Sequence, residues 1–355
     1  MNFIKTERVH FHTFDSLRFL SFLLVFLHHS PVPQDSFLYC FSKEGGIGVS
    51  FFFVLSGFLI TYILILEKMN NKGIVSLKKF FRRRILRIWP LYYAMVLFAM
   101  CTPVILDSLS LSYSDKGYQP NWFFTLTFLE NYRMMCTHQF PNVSPLTVIW
   151  SLCIEEHFYI FWGLAFYFIS LKNIPKLFLG CIVFSFSMQI IYEQYNIKTL
   201  DVFTNIHYFA FGAIPAYLFV FKKKSIEKLE GISAFYKYAY AFVVVAVILT
   251  VANTDIIPDL KLSSLLFSIL FSGLILLTLG DKNVFKIPDN SITGRLGKYT
   301  YGLYLFHTIC INLFMKIGNT LGIGWIEVIL LSFLSTVIFS VLSYHLFEKQ
   351  FLKLK

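Results

Sequence analysis

The chain is predicted to be all-α, a polytopic transmembrane helical bundle of about ten spans. Composition, segment length and charge placement each point there. Of 355 residues, 56% are hydrophobic and 14% charged, with 42 Phe and 20 Tyr, a balance that no ordinary soluble domain of this length needs. Mean hydropathy is +0.64. Apolar runs of about 17 to 22 residues recur, the length a helix needs to cross a hydrocarbon core of about 30 Å. Strands of a membrane barrel would be about half as long.

The spans are expected at 14–33, 46–66, 85–103, 146–167, 174–192, 204–221, 238–254, 262–280, 299–316 and 326–345. The least marked are 204–221, which carries His207, Gly212 and Pro215, and 299–316, whose start is rich in Tyr and Gly. Losing one would put the termini on opposite faces. With both termini cytoplasmic, all but six of the 31 Lys and Arg fall on the cytoplasmic side or at a cytoplasmic helix end, the six being Lys43, Lys116, Arg133, Lys198, Lys261 and Lys316. Lys and Arg are retained on that side of short loops, so charge and hydropathy agree. The same asymmetry accounts for most of the net charge of +11, with basic loops facing anionic lipid headgroups. Nucleic-acid binding is not expected.

Residues 1–13 are short and polar, and nine apolar runs follow the first, so the first run reads as a retained span and not a removable signal peptide. Six Cys form no metal-ligand spacing. Cys40 and Cys136 both fall outside and are a candidate disulfide, with free thiols the default. No linker or internal repeat divides residues 1–355, which read as one domain. The longest non-membrane stretch, 104–145, is predicted outside and carries Asp107, Asp115, Asn121, Trp122, Asn131, Arg133 and His138. It either caps an external cavity and touches an acceptor or is an uncommitted re-entrant loop. Residues 74–84 alternate apolar and basic positions and read as an amphipathic helix on the inner surface.

Charged and ionisable residues inside spans are costly and mark function by default. Arg18 and His29 are eleven residues apart; on a helix this is about 1100° of rotation, close to whole turns, and an advance of about 16 Å. They share a face as a line, one near the cytoplasmic end and one toward the outer half. Asp15 either pairs with Arg18 across one turn or caps the helix. A neutral histidine can take a proton from a hydroxyl, although His28 beside His29 competes for that part. Arg84 and Arg87 form an i, i+3 pair at the mouth of the third span, within a basic run that includes Arg82 and Arg83. Arginine forks match phosphate oxygens, while a basic run alone more often sets topology. Glu155 and Glu156 are adjacent inside an apolar segment and point about 100° apart, so only one faces a given site squarely. Glu156 at a depth near that of His29 allows a carboxylate–imidazole pair; a structural ion pair is the plainer reading. The glycines of the second span read mainly as helix packing, and Tyr299, Tyr301, Tyr304 and His307 as lining a cavity or an interface. No GxSxG, Walker A or HExxH pattern occurs.

Five segments in order carry a resemblance: FDSLRFLSFLLVFLHH at 14–29, GGIGVSFFFVLSGFLI at 45–60, FFRRRILRIWPLYY at 80–93, TVIWSLCIEEHFYIFW at 147–162 and LGKYTYGLYLFH at 296–307. The chain resembles the integral-membrane acyltransferase 3 family, bacterial surface-carbohydrate O-acyltransferases, over nearly its whole length. The resemblance implies an acyl-CoA co-substrate, commonly acetyl-CoA, taken from the cytoplasm, with no tightly bound cofactor or metal. It implies a carbohydrate or glycolipid hydroxyl as acceptor and a place in the bacterial inner membrane. Arg18 and His29 carry over as the essential pair, His29 as base; Arg84 and Arg87, with Arg83 of the same run, as the donor-side arginines; Glu155 and Glu156 as carboxylates at or near the site. Some members append an extracytoplasmic esterase-like domain, and none is expected within this chain. Two other classes share these residue types: a polytopic exporter of a surface glycan or its precursor, with Arg, His and Glu as a substrate or proton path, and a non-catalytic scaffold. Oligomeric state is not readable.

Overall fold

The computed structural model describes residues 8–43, 45–108, 117–254, 256, 260–280 and 282–355. Asp115 and Lys116 lie outside the described residues. Among the described residues, ten helices have eighteen residues or more: α1 (His12–His29), α2 (Gly45–Asn70), α3 (Leu77–Ser108), α4 (Trp150–Phe168), α5 (Ile174–Gln194), α6 (Val202–Phe221), α7 (Ala234–Asn253), α8 (Leu260–Thr278), α9 (Thr300–Leu321) and α10 (Trp325–Ser343). Each overlaps one expected segment. Extended backbone pairs only at an isolated bridge, Tyr118 to Pro141, among the described residues.

Seven helices are long and apolar enough to cross a membrane, and the protein is a multi-pass helical bundle. The three long helices outside that set are α1, α4 and α9. They carry Asp15, Arg18, His28 and His29, then Glu155, Glu156 and His157, then His307 and Asn312, and these polar side chains lower their mean hydropathy. By length and composition the crossing count therefore stands at seven, and the expectation of ten rests on these three. Val9 N–H donates to Tyr62 of α2 at 2.9 Å, and Arg82 of α3 donates to the Leu354 carbonyl at 2.8 Å. Val9 and Leu354 thus lie on one face, here the amino-terminal face.

Two departures from the sequence reading concern the first turns of α3 and the outer stretch. Residues 74–84 do not form a separate surface helix. From Leu77 the chain is continuous through Pro90 and Pro103 for 32 residues, about 48 Å at 1.5 Å per residue. That exceeds the hydrocarbon core, so the basic first turns stand outside it, with Phe80 buried. The outer stretch re-enters as two short helices, Trp122–Leu126 and Glu130–Thr137. They are pinned by fully buried Glu130, which accepts from Tyr118 and Thr125, each at 2.5 Å. All six cysteines are free thiols.

The centre of the bundle is the crossing of α2 and α6. A Cβ on Gly57 would sit 2.1 Å from the Phe209 carbonyl oxygen, and one on Gly212 1.9 Å from that of Val54, so both backbones approach as only glycine permits. Around it the ring of Phe209 stacks on Phe158 of α4 at 3.9 Å and on Phe53 at 4.8 Å. Helix α6 starts at Asp201, whose buried carboxylate accepts the Thr204 N–H at 3.0 Å and the Tyr192 hydroxyl at 2.6 Å. That cap ties α5 to α6.

Candidate active site

Helices α1, α2, α3, α4 and α9 enclose two cavities stacked along the bundle. The one nearer the amino-terminal face has a volume of about 230 Å³ and is lined by Arg18, Arg84, Arg87 and Lys298 against a single carboxylate, Glu155, with Ser56, Tyr159 and Tyr301. The other, about 1080 Å³, is lined by His28, His29, Trp150, Asn312 and, from the outer stretch, Gln139 and Asn142. Val49 and Tyr304 line both. Residues of the 104–145 stretch therefore line this cavity, at the end away from the amino-terminal face.

Each polar side chain is placed by its helix and held by a neighbour. Arg18 pairs with Asp15 at 2.6 Å. Helix α1 begins at His12 with Phe11 before it, so Asp15 is not the cap but a first-turn acid, where the helix dipole favours a negative charge. Glu155 accepts from Ser56 of α2 at 2.7 Å and from the Tyr159 hydroxyl at 3.3 Å. Arg84 sits over the Tyr159 ring at 5.9 Å, and its Nε is buried without a hydrogen-bond partner. Tyr301 of α9 donates to the Ile88 carbonyl at 2.6 Å, tying α9 to α3 beside the arginine pair. The Tyr304 hydroxyl lies 2.7 Å from Ser151 Oγ and 3.0 Å from the Val148 carbonyl.

Arg18, Arg84, Arg87 and Glu155 therefore meet in one cavity, while His29 stands in the other, across Tyr304 and Val49. Two of the expected site residues line neither. Glu156 turns to the other side of α4, where Trp89 donates to it at 3.2 Å and its Oε1 is buried without a partner; Arg83 likewise points away from Arg84. Adjacent helix positions diverge by about 100°, and packing, which the sequence does not display, chose between them. The Glu156–His29 pair does not form. His28 is held by the Ser42 carbonyl at 2.8 Å, whereas His29 makes no hydrogen bond among the described residues and faces the ring of His307 at 5.2 Å.

Sequence reasoning passed over Ser56, Ser151, Tyr159 and Lys298. The clue for Lys298 was present, a cation two residues before the Tyr-rich start of α9. On the amino-terminal face stands Lys355, outside the spans, its ammonium pushed down to about 8 by burial and then by Arg87, Arg84 and Arg83. Elsewhere on the amino-terminal face, exposed Asp289 accepts from His12 at 2.7 Å and His10 at 3.0 Å. Their ligand atoms lie within 4.8 Å of one another and are a set that could hold a metal ion; none of the three lines either cavity.

The sequence has relatives among known proteins. A family model described as "Acyltransferase domain" (Acyl_transf_3) matches residues 11–345. The chain belongs to this family of acyltransferase domains, here built as a multi-pass helical bundle. It is 28% identical over 360 residues, 94% of this chain and 54% of the relative, to a Bacillus subtilis protein named "Putative peptidoglycan O-acetyltransferase YrhL". It is 34% identical over 177 residues, 48% of this chain and 26% of the relative, to "Peptidoglycan O-acetyltransferase OatA" of Listeria monocytogenes. A Staphylococcus aureus "Putative O-acetyltransferase" matches at 27% over 338 residues, 87% of this chain and 53% of the relative. The chain spans about half the length of the relatives it matches along most of its own length. No solved structure matches it significantly.

Proposed function

We propose that the protein transfers an acetyl group from acetyl-CoA to a hydroxyl of a cell-surface carbohydrate, a polysaccharide, an oligosaccharide or a glycolipid precursor. The observation that carries this is the pair of cavities meeting at Tyr304, one with four cations against one carboxylate, the other with imidazoles, amides and an indole. An excess of fixed cations in a partly dry cavity calls for an anion, whereas amides and an aromatic face suit a sugar. The names of the relatives favour an acetyl group and a peptidoglycan acceptor.

The inner cavity of about 230 Å³ takes an extended arm, not a nucleotide. The phosphates therefore rest at its mouth against Arg84, Arg87 and Lys298, on the face assigned to the cytoplasm, and the pantetheine arm runs past Glu155 toward Tyr304. The acceptor enters from the outer cavity. His29 takes the proton of the acceptor hydroxyl, the oxygen attacks the thioester carbon, the carbon–sulfur bond breaks and the thiolate leaves with that proton. Arg18, locked to Asp15, contributes positive charge to the arm's path. Glu155 fixes α4 to α2 through Ser56.

The test is purified protein and a His29→Ala variant in nanodiscs, given radiolabelled acetyl-CoA and cell-envelope extract. Label in the glycan fraction and CoA release that both depend on His29 are expected. A folded, CoA-binding protein that releases no CoA with any acceptor fraction would overturn acetyl transfer and favour export.

A further inference from the structure

His307 is the most deeply buried titratable group near the junction, with no exposed surface. It stands on α9 one turn beyond Tyr304. Its Nδ1 lies 2.6 Å from the Tyr304 backbone carbonyl. A carbonyl only accepts, so Nδ1 carries the proton and Nε2 presents a lone pair. That Nε2 is buried without any hydrogen-bond partner, a state that costs roughly 1–3 kcal/mol.

The rings around His307 are Tyr304 at 5.6 Å, Phe22 at 5.9 Å and His29 at 5.2 Å. Phe22 has no donor, and the Tyr304 hydroxyl is engaged with Ser151 and Val148. His29 has a ring N–H and no partner of its own. A nitrogen lies about 1.2 Å from the centre of an imidazole, so rings with centres 5.2 Å apart bring their nitrogens to about 2.8 Å when these point straight at each other, a hydrogen-bond length. In the structure the rings are tilted by 55° and the bond is not made; closing it requires the His29 ring to turn its N–H toward His307.

We propose that His307 is a positioning residue for His29. Its Nε2 accepts the N–H of one His29 nitrogen and thereby fixes the other as a bare lone pair turned to the acceptor hydroxyl. The chain of contacts is Tyr304 carbonyl to His307 to His29, with a neutral imidazole where other bases are oriented by a carboxylate. During transfer the acceptor proton goes to His29 and on to the departing thiolate. His307 neither gains nor loses a proton. The inference rests on the reading of His29 as the base.

The experiment compares two amides of different reach with wild type and His29→Ala, all in nanodiscs. His307→Asn keeps a donor at the Nδ1 position for the Tyr304 carbonyl but has nothing at the Nε2 position; His307→Gln puts an amide oxygen there. His307→Asn is expected to lose kcat roughly tenfold or more, part of the 10²–10⁴ a general base contributes, with donor KM within about twofold. His307→Gln should recover most of the loss. Histidine ¹⁵N spectra supply a second readout: His29 should show one tautomer in wild type and a mixture in His307→Asn. Wild-type kcat in His307→Asn, equal losses in both amides at unchanged melting temperature, or an unaltered His29 tautomer would each overturn the proposal. Full transfer by His29→Ala would instead overturn the base itself.

Discussion

Replacing Arg84 by Met should move binding and stability in opposite directions. The guanidinium is half-buried over Tyr159, and its Nε has no partner. Arg87 and Arg18 repel it, opposed by Tyr159 and Glu155. Removing a buried unpaired donor relieves roughly 1–3 kcal/mol, while the ring contact, at the far end of the useful range, returns about 0.5 kcal/mol. The ligand-free protein should therefore gain about 0.5–2.5 kcal/mol, the scale set by that unpaired donor. A hydrogen-bonded cation contributes roughly 1.5–3 kcal/mol to an anion contact, so affinity for CoA should fall roughly 10- to 150-fold. Thermal melting in nanodiscs with and without CoA reads both: a higher midpoint without CoA and a smaller CoA-induced rise. A lower midpoint together with an undiminished CoA-induced rise would refute the account of an arginine held ready for its ligand at the expense of the empty fold.

Tyr304→Phe removes the hydroxyl group that lines both cavities and should lower transfer about tenfold, the scale of one lost hydrogen bond, while CoA binding measured by calorimetry stays unchanged. Gly57→Leu forces a side chain into the Phe209 backbone at the α2–α6 crossing and should destabilise by about 3 kcal/mol or more; Gly46→Ala, where a Cβ meets nothing within 4 Å, should melt like wild type. Lys355, held down to about 8 by burial and the arginines, regains its proton when an anion binds beside it. Donor affinity should then weaken as pH rises above about 8, the range in which the bound form alone keeps the proton. Lys355→Ala should remove that step from a titration of Kd against pH.

The bundle was legible because span length and positive loops report directly on the bilayer. The Arg18–His29 line was legible because it lies within one helix, where spacing is geometry. What the sequence withheld is rotation between helices. It could not say that Glu155 would meet Ser56 while Glu156 turned to Trp89, nor that His29 would find His307 and not a glutamate. Those choices follow from how closely α2 and α6 approach at Gly57 and Gly212. The extension of α3 back to Leu77 was missed because an amphipathic start and an apolar continuation look like two elements when they are one long helix leaving the membrane.

That α1, α4 and α9 fall short in apolarity also bears on how the protein is made. A nascent segment partitions into the bilayer by its own hydrophobicity, and a charge at its centre costs about 2.5–3.5 kcal/mol on that scale. Helix α1 emerges before α2 and must wait for it to shield Arg18. Helices α9 and α10, joined by the three residues 322–324, enter as one hairpin in which α10 supplies the hydrophobicity that α9 lacks. The helices that hold Arg18, His29, Glu155 and His307 are thus the ones least able to insert alone, and biogenesis must bring each a companion before the two cavities can exist.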